Sequence, residues 1–551
     1  MLTVSRQSPN IKQAKALSVL LLGISATALS TLLLAQEPES DPPEIAIGDR
    51  LFIEPRFAQA YYARPDKADP ALEYSLTVRD PLRGPYAGQT MNCRACHLVD
   101  ELGKTPQGGN RTYADFAHVS PVPARNDKQH FTSRNSMQMV GINQPGKYGV
   151  LLHFDGEFNS MQDLVSATFT GRNFGWLVEE HDIAIKHMAK VIREDDGQGE
   201  LAKEFGGSYK KILTGTAEDI PPRFRLPPAY RVDVANASDT QIFEAVVKLV
   251  AAYVDDLTFR EDAQGRYNGS PYDQFLMAND LPRAPREDES LQAYSERLFK
   301  AISMLNTPKF IIPTQGKFDT HKQVFEFGQR ELQGMKLFFS RGSTKQAGGN
   351  CVSCHSAPHF SDFAFHNSGL TQINYDEAHG QGSFQQLHIP DLKMRNRQHD
   401  TFLPVTPQHP KASERFRSPT EREKPGYVDL GMWNIFANPD FPGPQKKLFK
   451  HSCDLAMQGG VKKCSETQLL PFTIASFKTP LLRDLGHSEP YMHTGQFTNL
   501  TETVALYIKT SALAKAGLLR NADQNLKHIN ITQNDVTALV AFLNALNEDY
   551  D

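Results

Sequence analysis

A chain of 551 residues is too long for a single hydrophobic core and implies two or more domains. With 40% apolar and 22% charged residues it has the composition of an ordinary globular protein. A formal charge of −4, without any long basic or acidic run, gives no basis for nucleic-acid binding.

The N-terminus departs from that plain composition. Arg6, Lys12 and Lys15 precede an apolar run from Ala16 to Ala35, after which the chain turns acidic and Pro-rich from Gln36 to Pro43. A basic start, an apolar stretch and small residues near a cleavage point describe a secretory signal. The run also approaches the ~20 residues that span a bilayer, and Leu33 stands where a small residue is usual before a cut at Ala35. Residues 1–35 are therefore read as a signal peptide or a retained N-terminal anchor, and 36–43 as a linker. Both readings export the remainder, to a periplasmic location, and only a retained segment would tie it to a membrane. Nothing amphipathic supports a buried cytosolic helix here, and no second apolar run is long enough to span.

Two modules of similar design follow. In the first, Ile47-Gly48-Asp49-Arg50-Leu51-Phe52 sets Gly48 four residues before Phe52; in the second, Gly334 and Phe338 repeat the offset within Glu331 to Phe338. A Gly so placed lets another helix approach closely, while the aromatic covers a bound group. The spacing predicts a closing helix for the first module over Thr240 to Leu257, through Ile242, Phe243, Val246, Val247, Val250 and Val254. For the second it predicts one from Thr532 onward, through Leu539, Val540, Phe542, Leu543 and Leu546. Strand patterns are few. The expected fold is mostly α, with two helical domains of like design at 44–295 and 296–551. Residues 178–238, with Gly206, Gly207, Pro221, Pro222, Pro227 and Pro228 marking loops, are read as a helical and loop insertion in the first.

Four of the six cysteines fall in two identical patterns. Cys93-Arg94-Ala95-Cys96-His97 and Cys351-Val352-Ser353-Cys354-His355 are both C-x-x-C-H, the attachment pattern of c-type haem. Two thiols three positions apart can add to the two vinyl groups of one porphyrin, and the next imidazole then reaches the iron as proximal ligand. A four-cysteine zinc site leaves both adjacent histidines unexplained, so the domains at 44–295 and 296–551 are read as two cytochrome c-like haem domains. Cys453 and Cys464 lie close together in a polar loop containing Gly459 and Gly460; in an oxidising compartment a disulfide is their natural use.

In the second half, Phe477-Lys478-Thr479-Pro480-Leu481-Leu482-Arg483-Asp484 precedes Pro490-Tyr491-Met492-His493-Thr494-Gly495. The first half carries Arg134-Asn135-Ser136 and Leu152-His153-Phe154-Asp155-Gly156. With the two haem motifs, these segments resemble the bacterial di-haem cytochrome c peroxidase family and its MauG-like branch over nearly all of residues 44–551. Thr494 stands where that family's P-Y-x-H-D-G motif has Asp.

The resemblance implies two covalently bound haem c groups: a peroxide-reacting one with His97 as proximal ligand, and an electron reservoir with His355. The family's distal ligand to the second iron lies fourteen residues after the motif His and is Met in ordinary members and Tyr in MauG-like ones. That position is Tyr507, with Met492 also near. One calcium ion is implied between the haems, held by Asn135, Ser488 and Pro490, oxygen donors that suit a hard cation.

Two departures from the family concern the first haem. Its inter-haem Trp falls at Phe154, and its distal Gln and Glu, ten and twenty residues further on, fall at Leu164 and Phe174. Cleaving peroxide needs a group that moves a proton between the two oxygens, so Arg172, Glu179 and Glu180 are the candidate substitutes, in a stretch whose other markers are Phe169 and Trp176. The implied activity is oxidoreduction with hydrogen peroxide, drawing electrons from a small cytochrome, a copper protein or a side chain of a protein substrate. Two alternatives stand beside it. One is a di-haem oxygenase acting with O2 on an apolar substrate, favoured by the missing carboxylate. The other is a non-enzymatic electron-transfer cytochrome, with His118, His130 or His153 as spare ligands.

Overall fold

Side-chain hydrogen bonds mark the starts of the two helices that close the two modules. Ser238 and Gln241 bond reciprocally at the start of the helix Asp239–Asp256, and at the start of Gln533–Asn544 the Asp535 carboxylate accepts from the Thr532 N–H and hydroxyl, both at 2.8 Å. The computed structural model describes residues 41–64, 91–99, 113–115, 122, 125–127, 129, 132–319 and 321–549. The apolar run of residues 16–35, His118 and His130 lie outside them. Among the described residues no helix is long and apolar enough to cross a membrane.

The fold is mostly helical, and its named strands form two short antiparallel pairs. In the first module the helix Pro43–Phe52 packs on Asp239–Asp256. A Cβ on Gly48 would stand 2.4 Å from the Leu249 carbonyl oxygen and 2.7 Å from Tyr253 Cβ. In the second, Gln329–Phe339 packs on Gln533–Asn544, and a Cβ on Gly334 would stand 1.9 Å from the Ala538 carbonyl oxygen. Both glycines thus set a helix crossing close enough to exclude any side chain. One core gathers Phe52, Phe57, Phe169, Val246 and Val250, and another gathers Tyr272, Leu298, Phe338, Phe360 and Phe542.

Residues 178–238 carry the helix His181–Glu194, whose Met188 and Ile192 are buried beside the closing helix. Fully buried Arg50 ties this insertion to the first helix through Asp195 at 3.2 Å and the Gly207 carbonyl at 2.6 Å.

The second half contains an excursion that periodicity did not reveal. Phe365–His366 pairs with Phe477–Lys478, joining the ends of a stretch of more than a hundred residues into one ladder. That stretch has its own core of Tyr375, Phe402, Phe416, Trp433 and Phe436, which also takes in Leu151 and Phe154 from the first half. Ion pairs reinforce the junction. Arg134 binds Asp429 at 2.5 and 2.9 Å and Asp155 at 2.6 Å. Arg417 reaches Asp155 at 3.2 Å and also pairs with Glu157. Buried charges of this kind need such saturation to be tolerated.

Cys453 and Cys464 are joined by a disulfide with a Cα separation of 5.7 Å. The expected loop setting is corrected for one partner: Cys453 lies on the helix Gln445–Gln458, because the apolar spacing of that segment runs on to Gly459.

Candidate active site

Each C-x-x-C-H opens as a single 3-10 turn at the rim of a cavity. Cys93, Cys96 and His97 line the first cavity; Cys351, Cys354 and His355 line the second. The His355 backbone N–H donates to the Cys351 carbonyl at 2.8 Å, and its ring Nδ1 lies 2.9 Å from the Phe360 carbonyl. Burial lowers the pKa of this imidazole. A neutral ring held through Nδ1 is oriented to offer Nε2 to a metal. None of the four motif cysteines is in a disulfide. Gly349 leaves room for one of them: a Cβ there would lie 2.8 Å from Cys351 Sγ. Phe52 and Phe338, the aromatics of the repeated helix design, each line the cavity of their own module. Two cysteines outside any disulfide, an adjacent histidine and an apolar enclosure fit haem c at both places, and at the second the imidazole is already oriented.

The two cavities share a wall. Asn135, Ser136, Met137, Ile142 and Phe154 line both. His493 lies behind Phe154, stacked on Phe477 with centroids 3.7 Å apart, and burial holds its pKa down to about 4. Tyr507 and Met492 both line the second cavity. Burial raises the Tyr507 phenol well above its ordinary value, so without a cation it stays protonated.

The expected calcium donors gather beside the wall, and Asn135, Ser488 and Pro490 all line the second cavity. Asn135 Nδ2 donates to the Pro490 carbonyl at 2.6 Å, while its Oδ1 is buried without a partner. Turning the amide over would set two oxygens against each other, a contact that only a cation between them would hold. The donors fit a hard cation in that rotamer.

Among the proposed proton-transfer residues the structure corrects two and qualifies one. Glu179 is exposed and does not line the first cavity. Neither does Glu180, which instead binds Arg125 at 2.6 and 2.9 Å and caps the Leu177 backbone N–H at 2.9 Å. Burial works against its charge, but those bonds hold its pKa below the ordinary value. Arg172 does line the cavity, with its guanidinium bonded to Asp127 at 2.6 Å and to the Gln129 carbonyl at 3.1 Å. Leu164, Phe169 and Phe174 line the cavity with Met161 and Val165, whereas Trp176 packs away from it between Tyr62 and His187. His153 also faces the cavity, with Nδ1 3.0 Å from Glu157. Sequence reasoning missed Glu414 and Arg417, which reach the first cavity from the second-half excursion. No local pattern marks them, since their placement depends on the third core.

Fold and site together present two cavities, each lined by the two cysteines and the histidine of one C-x-x-C-H motif. The chain is similar to the cytochrome-c peroxidase IdrP1 of Denitromonas iodatirespirans, at 37% identity over 76 residues, 14% of this chain and 19% of that protein. It is also similar to the protein of that name from Pseudomonas sp. (strain SCT), at 22% identity over 320 residues, 58% of this chain and 60% of the other. The chain thus spans less than two thirds of either curated relative. Among solved structures, the diheme peroxidase BthA from Burkholderia thailandensis E264 aligns with 93% of this chain and 87% of its own at 16% identity and a TM-score of 0.41. A MauG-like protein associated with microbial copper homeostasis aligns with 93% and 91% at 13% identity and a TM-score of 0.43. No protein-family model matches the chain.

Proposed function

We propose that this chain is an exported di-haem cytochrome c peroxidase of the MauG-like type, reducing hydrogen peroxide at the first cavity with electrons passed through the second. The observation that carries the reading is the pair of cavities, each with its own Cys, Cys and His set, meeting at a wall of five shared residues. The cytochrome-c peroxidase relatives support it.

Cys93 and Cys96 would bind the first haem and Cys351 and Cys354 the second, with His97 and His355 as proximal ligands. Bound there, haem supplies one-electron redox chemistry at each iron and a coordination position for peroxide at the first. The chain's own residues do the rest. Met161, Leu164, Val165, Phe169 and Phe174 exclude water from one side of the first cavity. Tyr507 closes the second cavity as a candidate iron ligand, whose phenolate would favour the oxidised metal. Asn135, Ser488 and Pro490 would hold one calcium ion beside the shared wall. The electron donor would be a small cytochrome, a cupredoxin or a protein side chain, met in the periplasm.

Electron paramagnetic resonance of the oxidised protein during a peroxide titration tests this. One high-spin and one low-spin ferric signal, the former lost on adding peroxide, is the expected result. Two low-spin signals indifferent to peroxide would leave an electron-transfer cytochrome instead. The apolar lining favours one second reading, an oxygenase, which a stable oxygen adduct of the reduced protein would support.

A further inference from the structure

Of the described residues lining the first cavity, Glu414 is the single carboxylate. The places where di-haem peroxidases are expected to carry Gln and Glu are taken by Leu164 and Phe174, both facing the same cavity. Glu414 arrives from the opposite half of the chain and is held firmly at its backbone. It sits at a φ of 53°, and its carbonyl accepts from the Arg417 N–H at 2.8 Å and from Ser418 Oγ at 2.7 Å. Its carboxylate accepts one weak bond, from the Val405 N–H at 3.3 Å.

The neighbouring acids are in a different condition. Asp155, Glu157 and Asp429 are each paired with Arg134 or Arg417. Glu414 forms no ion pair among the described residues, so it alone of the four is left to take up and release a proton. The charged groups around it are Arg417 and Arg134, which favour its anion, and Glu157, which opposes it. Burial outweighs the arginines and lifts its pKa above the ordinary carboxylate value, toward the range where a general acid–base group works. His153, bonded to Glu157, is the other titratable group at this wall outside the haem motif.

We propose that Glu414 is the proton-transfer residue of the first cavity, supplied by the second-half excursion in place of the carboxylate that the Leu164–Phe174 stretch lacks. The inference rests on the peroxidase reading. In the step, the Glu414 carboxylate takes the proton from one peroxide oxygen and delivers it to the other. The O–O bond then breaks with its electron pair on the oxygen that leaves as water. Overall, one hydrogen peroxide, two protons from solvent and two electrons from a one-electron redox protein give two waters.

The test uses the full haem-loaded chain with Glu414→Gln and Glu414→Asp. Glu414→Gln is expected to slow the loss of the high-spin signal on peroxide addition by about 10²–10⁴-fold, with Glu414→Asp recovering part of it. Cyanide binding to the ferric first haem supplies a readout apart from activity, because hydrogen cyanide must give up its proton in the same place. Its association rate should fall in Glu414→Gln and lose its pH dependence. Should the variants lack haem, the wild-type cyanide profile still decides: it must show an ionisation above the usual carboxylate range, and its absence overturns the assignment. A Glu414→Gln protein with wild-type peroxide rate and cyanide profile also overturns it, leaving the peroxidase reading intact. A wild type indifferent to peroxide overturns the reading itself.

Discussion

Adding one methyl group at Gly334 should damage the second haem cavity specifically. Its Cβ would lie 1.9 Å from the Ala538 carbonyl oxygen, 2.5 Å from the Ala538 carbonyl carbon and 2.8 Å from Phe542 Cβ, two of them backbone atoms that cannot swing aside. Ordinary contact at about 3.4 Å requires the helices Gln329–Phe339 and Gln533–Asn544 to part by roughly 1.5 Å, which forfeits much of the dispersion along the crossing. Overpacking of this severity costs up to about 3 kcal/mol, against a gain of about 1 kcal/mol from replacing Gly by Ala within a helix. Gly334→Ala is therefore expected to lose about 2 kcal/mol, a factor of roughly 30 in the folding equilibrium. Phe338 lies one turn on and lines the second cavity, so the paramagnetic signal of a haem bound there should shift with it.

Gly48→Ala poses the same question in the first module with a smaller shortfall, 2.4 Å to the Leu249 oxygen, and should cost about 1 kcal/mol. It should disturb the first haem alone. Gly459→Ala, at a helix end with φ −79° and its nearest atom 3.3 Å away, is the control and should stay within about 0.5 kcal/mol. Denaturant unfolding followed by circular dichroism gives the energies and electron paramagnetic resonance gives the localisation. A Gly334→Ala protein as stable as its parent, or one that alters both haems equally, would refute the argument from paired helix crossings.

Three further outcomes follow from single residues. Lys478 is buried in the second cavity and forms no ion pair among the described residues, and burial pulls its pKa down to about 7. The second haem's potential should fall as pH rises through that value and the ammonium is lost. Lys478→Met should lie low at every pH; an unchanged potential with an unchanged pH slope would remove Lys478 from the haem's surroundings. Asp484 is buried between His321 at 2.8 Å and His487 at 2.9 Å; burial opposes its charge, but those bonds hold its pKa down to about 2. Since the folded value lies below the unfolded one, its stabilisation is complete above about pH 4 and is lost as pH falls toward 2. Asp484→Asn should flatten the acid limb of the unfolding profile over that window. The disulfide closes a sequence separation of 11 residues, so the double variant Cys453→Ser, Cys464→Ser should lose up to about 3 kcal/mol. Both haem spectra should be unchanged, because neither cysteine lines a cavity.

What could be read from the residues alone was local. The C-x-x-C-H turns, the Gly48–Phe52 and Gly334–Phe338 offsets and the capped closing helices each lie within a few turns of chain, where spacing translates directly into a face. Beyond the helix Gln445–Gln458, residues 367–476 offered little such signal. Their core is assembled from short helices and loops around Trp433, and its contact with the first cavity depends on Arg134 and Asp429, 295 positions apart. Counting along the first half could therefore show that Leu164 and Phe174 are apolar, but not that Glu414 stands across from the same cavity. Glu180 misled for the converse reason: an acid near the expected position was already committed to Arg125 and a helix start.

The shared wall also bears on how electrons would cross between the two irons. Phe154, His493 and Phe477 form an aromatic cluster there, with Phe154 and His493 centroids 6.4 Å apart and His493 and Phe477 stacked. A benzene ring gives up an electron far less readily than an indole. An imidazole with a pKa near 4 is neutral at physiological pH and brings no charge to the path. The cluster is therefore suited to be a packed medium through which electrons tunnel rather than a chain of sites that are oxidised in turn. Phe154→Trp separates the two possibilities, because it installs an oxidisable ring while keeping the wall closed. If tunnelling through packed matter suffices, the rate of inter-haem transfer after peroxide addition, followed by rapid-freeze paramagnetic resonance, should change by only a few-fold. A rise of orders of magnitude, with an indole radical signal, would mean that the native wall is a barrier and that this chain runs its two haems more independently than a shared wall suggests.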